Sequence, residues 1–278
     1  MNNQDLINII ENTNAMLNRD GLDDNFYMKI GIRLLNIPGV RGYFIPIDSE
    51  NVNHVGLAQL NEKNVDSTVQ KVIEFFKSEK KSFSWIIGPG SEPKDLPSIL
   101  EKHGFYHMEE MTEYGMVLST ESEMNDITGK FSIEEVRIED LGNYLDLMVE
   151  SFGFGMNRES AMSIVMLINA INSTDKYNGQ VKAYLAKEND TGKQVGFCYM
   201  TMDRDKKYAI LDGSGVIPSY RRRGIYRAMI SRRSHEAREN GIKYLIIHAM
   251  KNTSAGICEK VGFKKICQMD FYGYKIES

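Results

Sequence analysis

The chain has 278 residues, a net charge of −4 and 42% hydrophobic residues. This ordinary globular balance excludes a fibrous or disordered chain, argues against nucleic acid as a partner, and suits two domains of about 130 residues, each able to bury a core. Three cysteines (Cys198, Cys258, Cys267) with no Cys-x-x-Cys pair point away from a disulfide framework and toward a reducing compartment, and five scattered histidines give no zinc spacing, so no metal is expected.

The polar, acidic start Met1-Asn-Asn-Gln-Asp5 lacks the basic and apolar regions of a signal peptide, and no apolar run approaches ~18 residues; a cytoplasmic protein without a membrane partner is expected. Residues 4–18 place Leu6, Ile9, Ile10, Ala15 and Leu17 at helical spacing, and a second helix is expected over 24–35. Short strands follow at 42–47 and 54–60. Val69, Val72, Ile73 and Phe76 predict a helix over 65–77. A strand at 82–87, a short helix at 95–103 closed by Gly104, and a strand at 114–118 complete the first half. Residues 119–131 are polar and rich in turn formers, and they read as a linker between domains at 1–120 and 132–278. The second half reads strand 133–137, helices 139–152 and 158–171, and strands 182–187 and 195–202, with tight turns at 190–193 and 204–207. A strand from Tyr208 to Ile217, a long helix to Asn240 ended by Gly241, a strand at 244–250, a short helix and a strand at 264–274 close the chain. The mixture of elements indicates an α/β (α+β) protein.

The most informative stretch is Gly215-Val-Ile-Pro-Ser-Tyr-Arg-Arg-Arg-Gly-Ile-Tyr226. It reads as a strand end, a turn and a helix start, with Pro218 stopping the ladder and Ser219 as the expected cap. A helix start carries free N–H groups and partial positive charge, which makes it an anion site. Three arginines stand there beside Gly224, which lets a phosphate approach the backbone. From Arg221 to Arg238 seven arginines face one acid, Glu236. The plain alternative is a solvated basic helix face.

Arg221-x-x-Gly224-x-Tyr226 resembles the pyrophosphate loop of the GNAT acetyltransferase superfamily, with Tyr226 in place of the usual small residue. The resemblance implies that Arg221, Arg222, Arg223, Gly224, Ile225 and Tyr226 hold the diphosphate of acetyl-coenzyme A as co-substrate. It implies that Val216 and Ile217 offer backbone groups to the acetyl and pantetheine part. Asn252 resembles the family's asparagine on the pantetheine arm, or else it caps a helix. Glu259-Lys-Val-Gly-Phe263 resembles the family's Tyr-Glu-Lys-x-Gly-Phe ending, with Cys258 where the tyrosine acts as general acid toward the thiolate. Cys258 is then either a proton donor or a small buried residue. The element order of residues 133–275 is similar to the GNAT fold.

Ile99-Leu-Glu-Lys-His-Gly-Phe105 matches Ile257-Cys-Glu-Lys-Val-Gly-Phe263 at five of seven positions, at an offset of 158. The same offset superposes helix 65–77 on the helix after the arginines, so the chain is expected to hold two tandem GNAT-like domains, each a mixed, mostly antiparallel sheet flanked by helices. Lys63-Asn-Val-Asp-Ser-Thr68 falls on the arginine loop; it has no glycine and carries an acid, so the N-terminal copy is expected to be degenerate. For amine deprotonation the strand before the loop offers Asp212, which otherwise pairs or caps a turn. Glu150, Phe152, Phe154 and Tyr177 are read as lining the acceptor side or as ordinary helix and core residues. His248 is read as a hydrogen-bonded core histidine and His235 as exposed. The resulting expectation is an N-acetyltransferase for an unidentified amine on a small molecule or peptide, working as a monomer or homodimer. A non-catalytic acyl-coenzyme A binder and an acyltransferase that takes a charged RNA are the alternatives.

Overall fold

The computed structural model describes residues 1–276 apart from 14, 15, 17, 48, 123–128, 154 and 155. Ala15, Leu17, Phe154 and much of the expected linker therefore lie outside the described residues. In chain order the elements are α1 (Asn3–Thr13), α2 (Asp24–Lys29), β1 (Arg33–Leu34), β2 (Arg41–Phe44), β3 (His54–Gly56), α3 (Val65–Glu79), β4 (Phe83–Ile87) and α4 (Leu96–Lys102). Then come β5 (Tyr106–His107), β6 (Glu113–Ser119), β7 (Phe131–Val136), α5 (Leu145–Phe152), α6 (Arg158–Asn172), β8 (Val181–Glu188) and β9 (Gln194–Asp203). The last are β10 (Tyr208–Ile210), β11 (Ser214–Val216), α7 (Ile225–Glu239), β12 (Tyr244–Met250), α8 (Ala255–Val261) and β13 (Lys264–Tyr274).

Local chemistry sets the boundaries. Asp23 caps α2, its side chain accepting from the Phe26 amide at 2.8 Å. Gly31, at φ +82°, turns the chain back, so α2 stops well short of residue 35. The segment expected as one helix over 139–152 is a 3-10 turn, Ile138–Tyr144, followed by α5; Gly142 in its middle weakens the helix. The expected strand 208–217 is broken into β10 and β11.

The chain divides into two compact units that are discontinuous in sequence. The first comprises Met1–Met116, His248–Gly256 and Lys265–Ser278, and the second Val117–Ile247 and Ile257–Lys264. The contiguous segments 1–120 and 132–278 differ from this division chiefly in the C-terminal strand, which belongs with the first unit.

In the first unit β1, β2 and β3 pair antiparallel, β3 pairs β4 in parallel, and β4 and β5 pair β13 antiparallel. Val69, Val72, Ile73 and Phe76 of α3 are buried on this sheet, and Phe76 stacks on Phe83 at 4.1 Å between centroids. Each such side chain contributes roughly 1.5–3 kcal/mol of apolar burial. In the second unit β7, β8, β9 and β10 form an antiparallel run, β10 pairs β12 in parallel, and β11 pairs β9. Ile225 and Met229 of α7 pack with Tyr184, Val195, Cys198, Val216 and Ile217 in its core. In each unit a parallel strand pair thus stands among mostly antiparallel ones.

The offset of 158 holds in space. Leu100, which falls on Cys258, accepts from Phe105 N at 3.1 Å, and Cys258 accepts from Phe263 N at 3.0 Å. Gly104 and Gly262 both stand at positive φ, +92° and +108°, where a side chain is strained.

Candidate functional site

The site begins where one strand leaves its neighbour. Ile210 pairs with Thr201 on β9 and Ile246 on β12, and Leu211 N still donates to Ile246 O at 2.8 Å. Beyond Gly213 the chain stays on β9 alone, with Ser214 opposite Cys198 and Val216 opposite Gly196. Tyr199 N donates to Gly213 O and Ile217 N to Val195 O, so Gly213 and Ile217 turn their polar groups to β9. By the alternation of an antiparallel ladder, the amides of Ser214 and Val216 face away from β9. The C-terminal end of α5 lies directly against this strand: a Cβ on Gly215 would sit 2.7 Å from the Ser151 carbonyl. One on Gly213 would sit 2.5 Å from Tyr199 Cε1. Phe152, edge-on to Phe197 at 6.0 Å, packs over both glycines.

After β11 the chain makes a 3-10 turn at Pro218–Tyr220, and Arg222 (φ +63°) and Gly224 (φ +84°) adopt left-handed conformations. Alternating hands of this kind turn successive amides to one side, as in anion-binding nests. Helix α7 therefore starts at Ile225, with Gly224 and not Ser219 as its N-cap; the extra turn carries Ser219 out of capping range. Gly224 supplies no side-chain cap, and the first turn holds no acid. The leading amides are open to an outside anion. Arg221 is turned inward, its Nε donating to Val216 O at 2.9 Å and Nη2 to Ser151 O at 3.4 Å, so it braces strand, loop and α5. Arg223 lies over the Tyr220 ring at 4.7 Å, and Tyr220 donates to Glu188 at 3.0 Å. Arg222 and Arg227 are exposed. Arg221, Arg222, Arg223, Gly224, Ile225 and Tyr226 are thus brought together at one helix end, next to Val216.

Not all of the basic helix is a solvated face. Arg233 is fully buried. Its Nη1 donates to Tyr199 O (3.0 Å) and Asp212 O (3.2 Å), and Nε donates to Met229 O (3.1 Å). Its Nη2 is buried without a hydrogen-bond partner among the described residues. Asp212 lies at the break between β10 and β11, with Oδ2 accepting from the Thr201 hydroxyl at 3.1 Å. Sequence reasoning missed Arg233, although its spacing shows it: Ile225, Met229, Arg233 and Ala237 recur every fourth residue on the buried side of α7.

Cys258 is fully buried, and burial pushes its thiol up to about 11. Its counterpart at the 158 offset, Leu100, is an equally buried core residue. The Tyr226 side chain hydrogen-bonds the Cys258 thiol, and the Arg233 charge acts on that thiol in the lowering direction. Asn252 is exposed in the turn after β12, in the first unit. Glu150 is exposed, Tyr177 is buried core, and His235 is exposed beside Glu239. His248 is half-buried and bonds Ile10 O at 3.0 Å.

The corresponding segment of the first unit is built differently. Asp66 occupies the first turn of α3 and pairs with His103 at 2.9 Å. Here Gln59 pairs with Glu92, and Glu92 N donates to Ala58 O at 2.9 Å. Ala58 is the residue that the offset places on Val216. Among the described residues no helix is long and apolar enough to cross a membrane, and no group of three or more His, Cys, Asp or Glu is placed to hold a metal ion.

Solved structures similar to this chain have the same architecture. A GCN5-related N-acetyltransferase from Kribbella flavida matches at a TM-score of 0.64 and 14% identity, over 87% of this chain and 89% of that one. A GCN5-related N-acetyltransferase from Sphaerobacter thermophilus matches at 0.64 and 15% identity, over 86% and 78%. A tandem GNAT protein from the clavulanic acid biosynthesis pathway matches at 0.60 and 10% identity, over 99% and 95%. At these identities the likeness is one of fold, and it defines a tandem GNAT-fold protein. The sequence model of the acetyltransferase (GNAT) family matches residues 158–263, from the start of α6 to just past α8. No curated relative matches its sequence.

Proposed function

We propose that this protein is an acetyl-coenzyme A-dependent N-acetyltransferase whose working site lies in the second unit. One observation carries the reading: a strand that has left its parallel neighbour runs directly into an uncapped, acid-free, arginine-flanked helix start. The first turn of α7, with no side-chain cap and no acid, suits the diphosphate of the acyl donor, and Arg222 and Arg227 add charge. The edge of β11 suits the pantetheine chain. Val216 N–H, facing away from β9, is the donor aimed at a thioester carbonyl; Ile217 N–H is already given to Val195 O. Of the expected backbone pair, the polarising part therefore falls to Val216, and Ile217 anchors the strand. Asp212, held by Thr201, is the base for the amine, directly or through water. The three cysteines are unpaired, in keeping with a reducing, cytoplasmic setting.

Titration of acetyl-coenzyme A by calorimetry, followed by a screen of amines for thiol release, tests this reading. Gly224→Asp puts a side chain at φ +84° and a negative charge at the anion site, so it should abolish binding while leaving the chain folded. Unchanged binding by that variant would count against the loop. A second reading, a non-catalytic acyl-coenzyme A binder, draws on the full burial of Cys258, which keeps that thiol from reaching a substrate. Tight binding without thiol release for any amine would favour it.

A further inference from the structure

Two polar atoms at the break between β10 and β11, Arg233 Nη2 and Ser214 Oγ, are buried without a hydrogen-bond partner among the described residues. The other hydrogen bonds of Arg233, to Met229, Tyr199 and Asp212, all end on neutral carbonyl oxygens. Ser214 lies opposite Cys198 in the ladder, and Cys198 packs in one core with Met229, one turn of α7 before Arg233. The hydroxyl and the guanidinium therefore share the α7 face of the sheet. Asp212 turns its carboxylate to the other face, where it takes the hydroxyl of Thr201, three residues along β9 from Cys198. A buried cation held by neutral carbonyls is costly, and an anion beside it offsets that cost. The break is open to solvent at Gly213, which is exposed, and Asp212 and Ser214 are half-buried.

We propose, resting on the acyl-coenzyme A reading above, that the acyl group of the preferred donor ends in a carboxylate and has succinyl or glutaryl length. Arg233 and Ser214 are the specificity-determining residues that receive this carboxylate. The strand register sets the length. In that reading Val216 N–H faces the thioester carbonyl, and Ser214 N–H, two residues back, turns the same way from β9. Two strand residues span about 7 Å, the reach of such a chain beyond its thioester. The carboxylate then meets Ser214 N–H, Ser214 Oγ and Arg233 Nη2, and charge-assisted hydrogen bonds of this kind are the strong ones. An acetyl group is too short to reach them. The carboxylate takes no part in the bonds made and broken. The amine nitrogen bonds to the thioester carbon, and the carbon–sulfur bond breaks with its electron pair on sulfur. The proton lost by the amine ends on sulfur, leaving free coenzyme A and an amide that carries the carboxylate. The base and the cation stand on opposite faces of the strand, so the negative tail is kept away from Asp212.

The test needs no acceptor. Unreactive thioethers of coenzyme A stand in for the thioesters: S-ethyl for acetyl, S-butyl for butyryl and S-(3-carboxypropyl) for succinyl. Each is titrated calorimetrically into the full-length protein. The carboxypropyl ligand should bind about tenfold or more tightly than the butyl one, because its carboxylate gains charge-assisted hydrogen bonds. Ser214→Ala should cut that preference roughly threefold, and Arg233→Met should abolish it. Should Arg233→Met fail to fold, the wild type and Ser214→Ala decide. Equal affinity for the butyl and carboxypropyl ligands in the wild type, as buried water on Nη2 and Oγ would give, overturns this assignment alone. So does a preference that is undiminished in Ser214→Ala and in folded Arg233→Met. Failure of all three ligands to bind overturns the cofactor reading itself, and this assignment with it.

Discussion

His54 shows what burial does to one titrating side chain. It is sealed in the first unit, its Nδ1 2.8 Å from Ser84 Oγ, and desolvation pushes its pKa from 6.5 down to about 4. The folded chain therefore keeps it neutral where the unfolded chain would protonate it. Because the folded pKa is the lower one, this stabilisation is complete above pH about 6.5 and is lost as pH falls through about 4. The shift corresponds to roughly 3 kcal/mol. Urea unfolding at pH about 7 and about 4.5 should show a loss that is much smaller in His54→Asn, which keeps a polar partner for Ser84. Equal losses in the two proteins would contradict it. Residues of this kind were legible in sequence only as types. The arginine loop announced itself because charge and glycine cluster within six positions. Arg233 did not, because a lone arginine among arginines carries no sign of burial unless the helix is already placed. Tyr226 stood out as a departure from the pattern, but its partner Cys258 is distant in sequence.

At the scale of elements, periodicity served well and irregularity did not. The amphipathic stripe of α3 and the alternating or apolar runs of β8, β9 and β12 were readable because each uses one face consistently. The 3-10 turns at Ile138–Tyr144 and Pro218–Tyr220 were not, and the second displaced the expected cap from Ser219 to Gly224. The break of one strand into β10 and β11, on which the site depends, is set by Gly213 and by its tight contact with Tyr199. β13 was correctly read as a strand. Its sheet was not legible, since a strand pattern does not state its partner. Asp270 to Tyr274 pair with Ile87 to Phe83, and Tyr272 sits opposite Trp85, the chain's single tryptophan. Deleting residues 264–278 should thus unfold the first unit, read as a red shift of Trp85 fluorescence toward that of the urea-denatured chain. A blue, buried tryptophan spectrum in the truncated protein would support independent segments 1–120 and 132–278 instead.

At the scale of the whole molecule, the proposed reading gives a duplicated fold one anion site, at the start of α7. The repeat was visible because a glycine-ended helix leaves a compact signature, Glu-Lys-x-Gly-Phe, in both halves. The difference between the two units was visible only in part: Asp66 could be read from the sequence, but the bridge between Gln59 and Glu92 could not. A chain of net charge −4 gathers Arg221, Arg222, Arg223 and Arg227 around the acid-free start of α7, so a polyanion should find one place to bind. The most direct measurement is calorimetric titration of acetyl-coenzyme A into the full-length protein, wild type and Gly224→Asp. The expected result is saturable binding at one site per chain in the wild type and none in the variant. Two sites per chain, or binding that survives Gly224→Asp, would contradict a single working site at the start of α7.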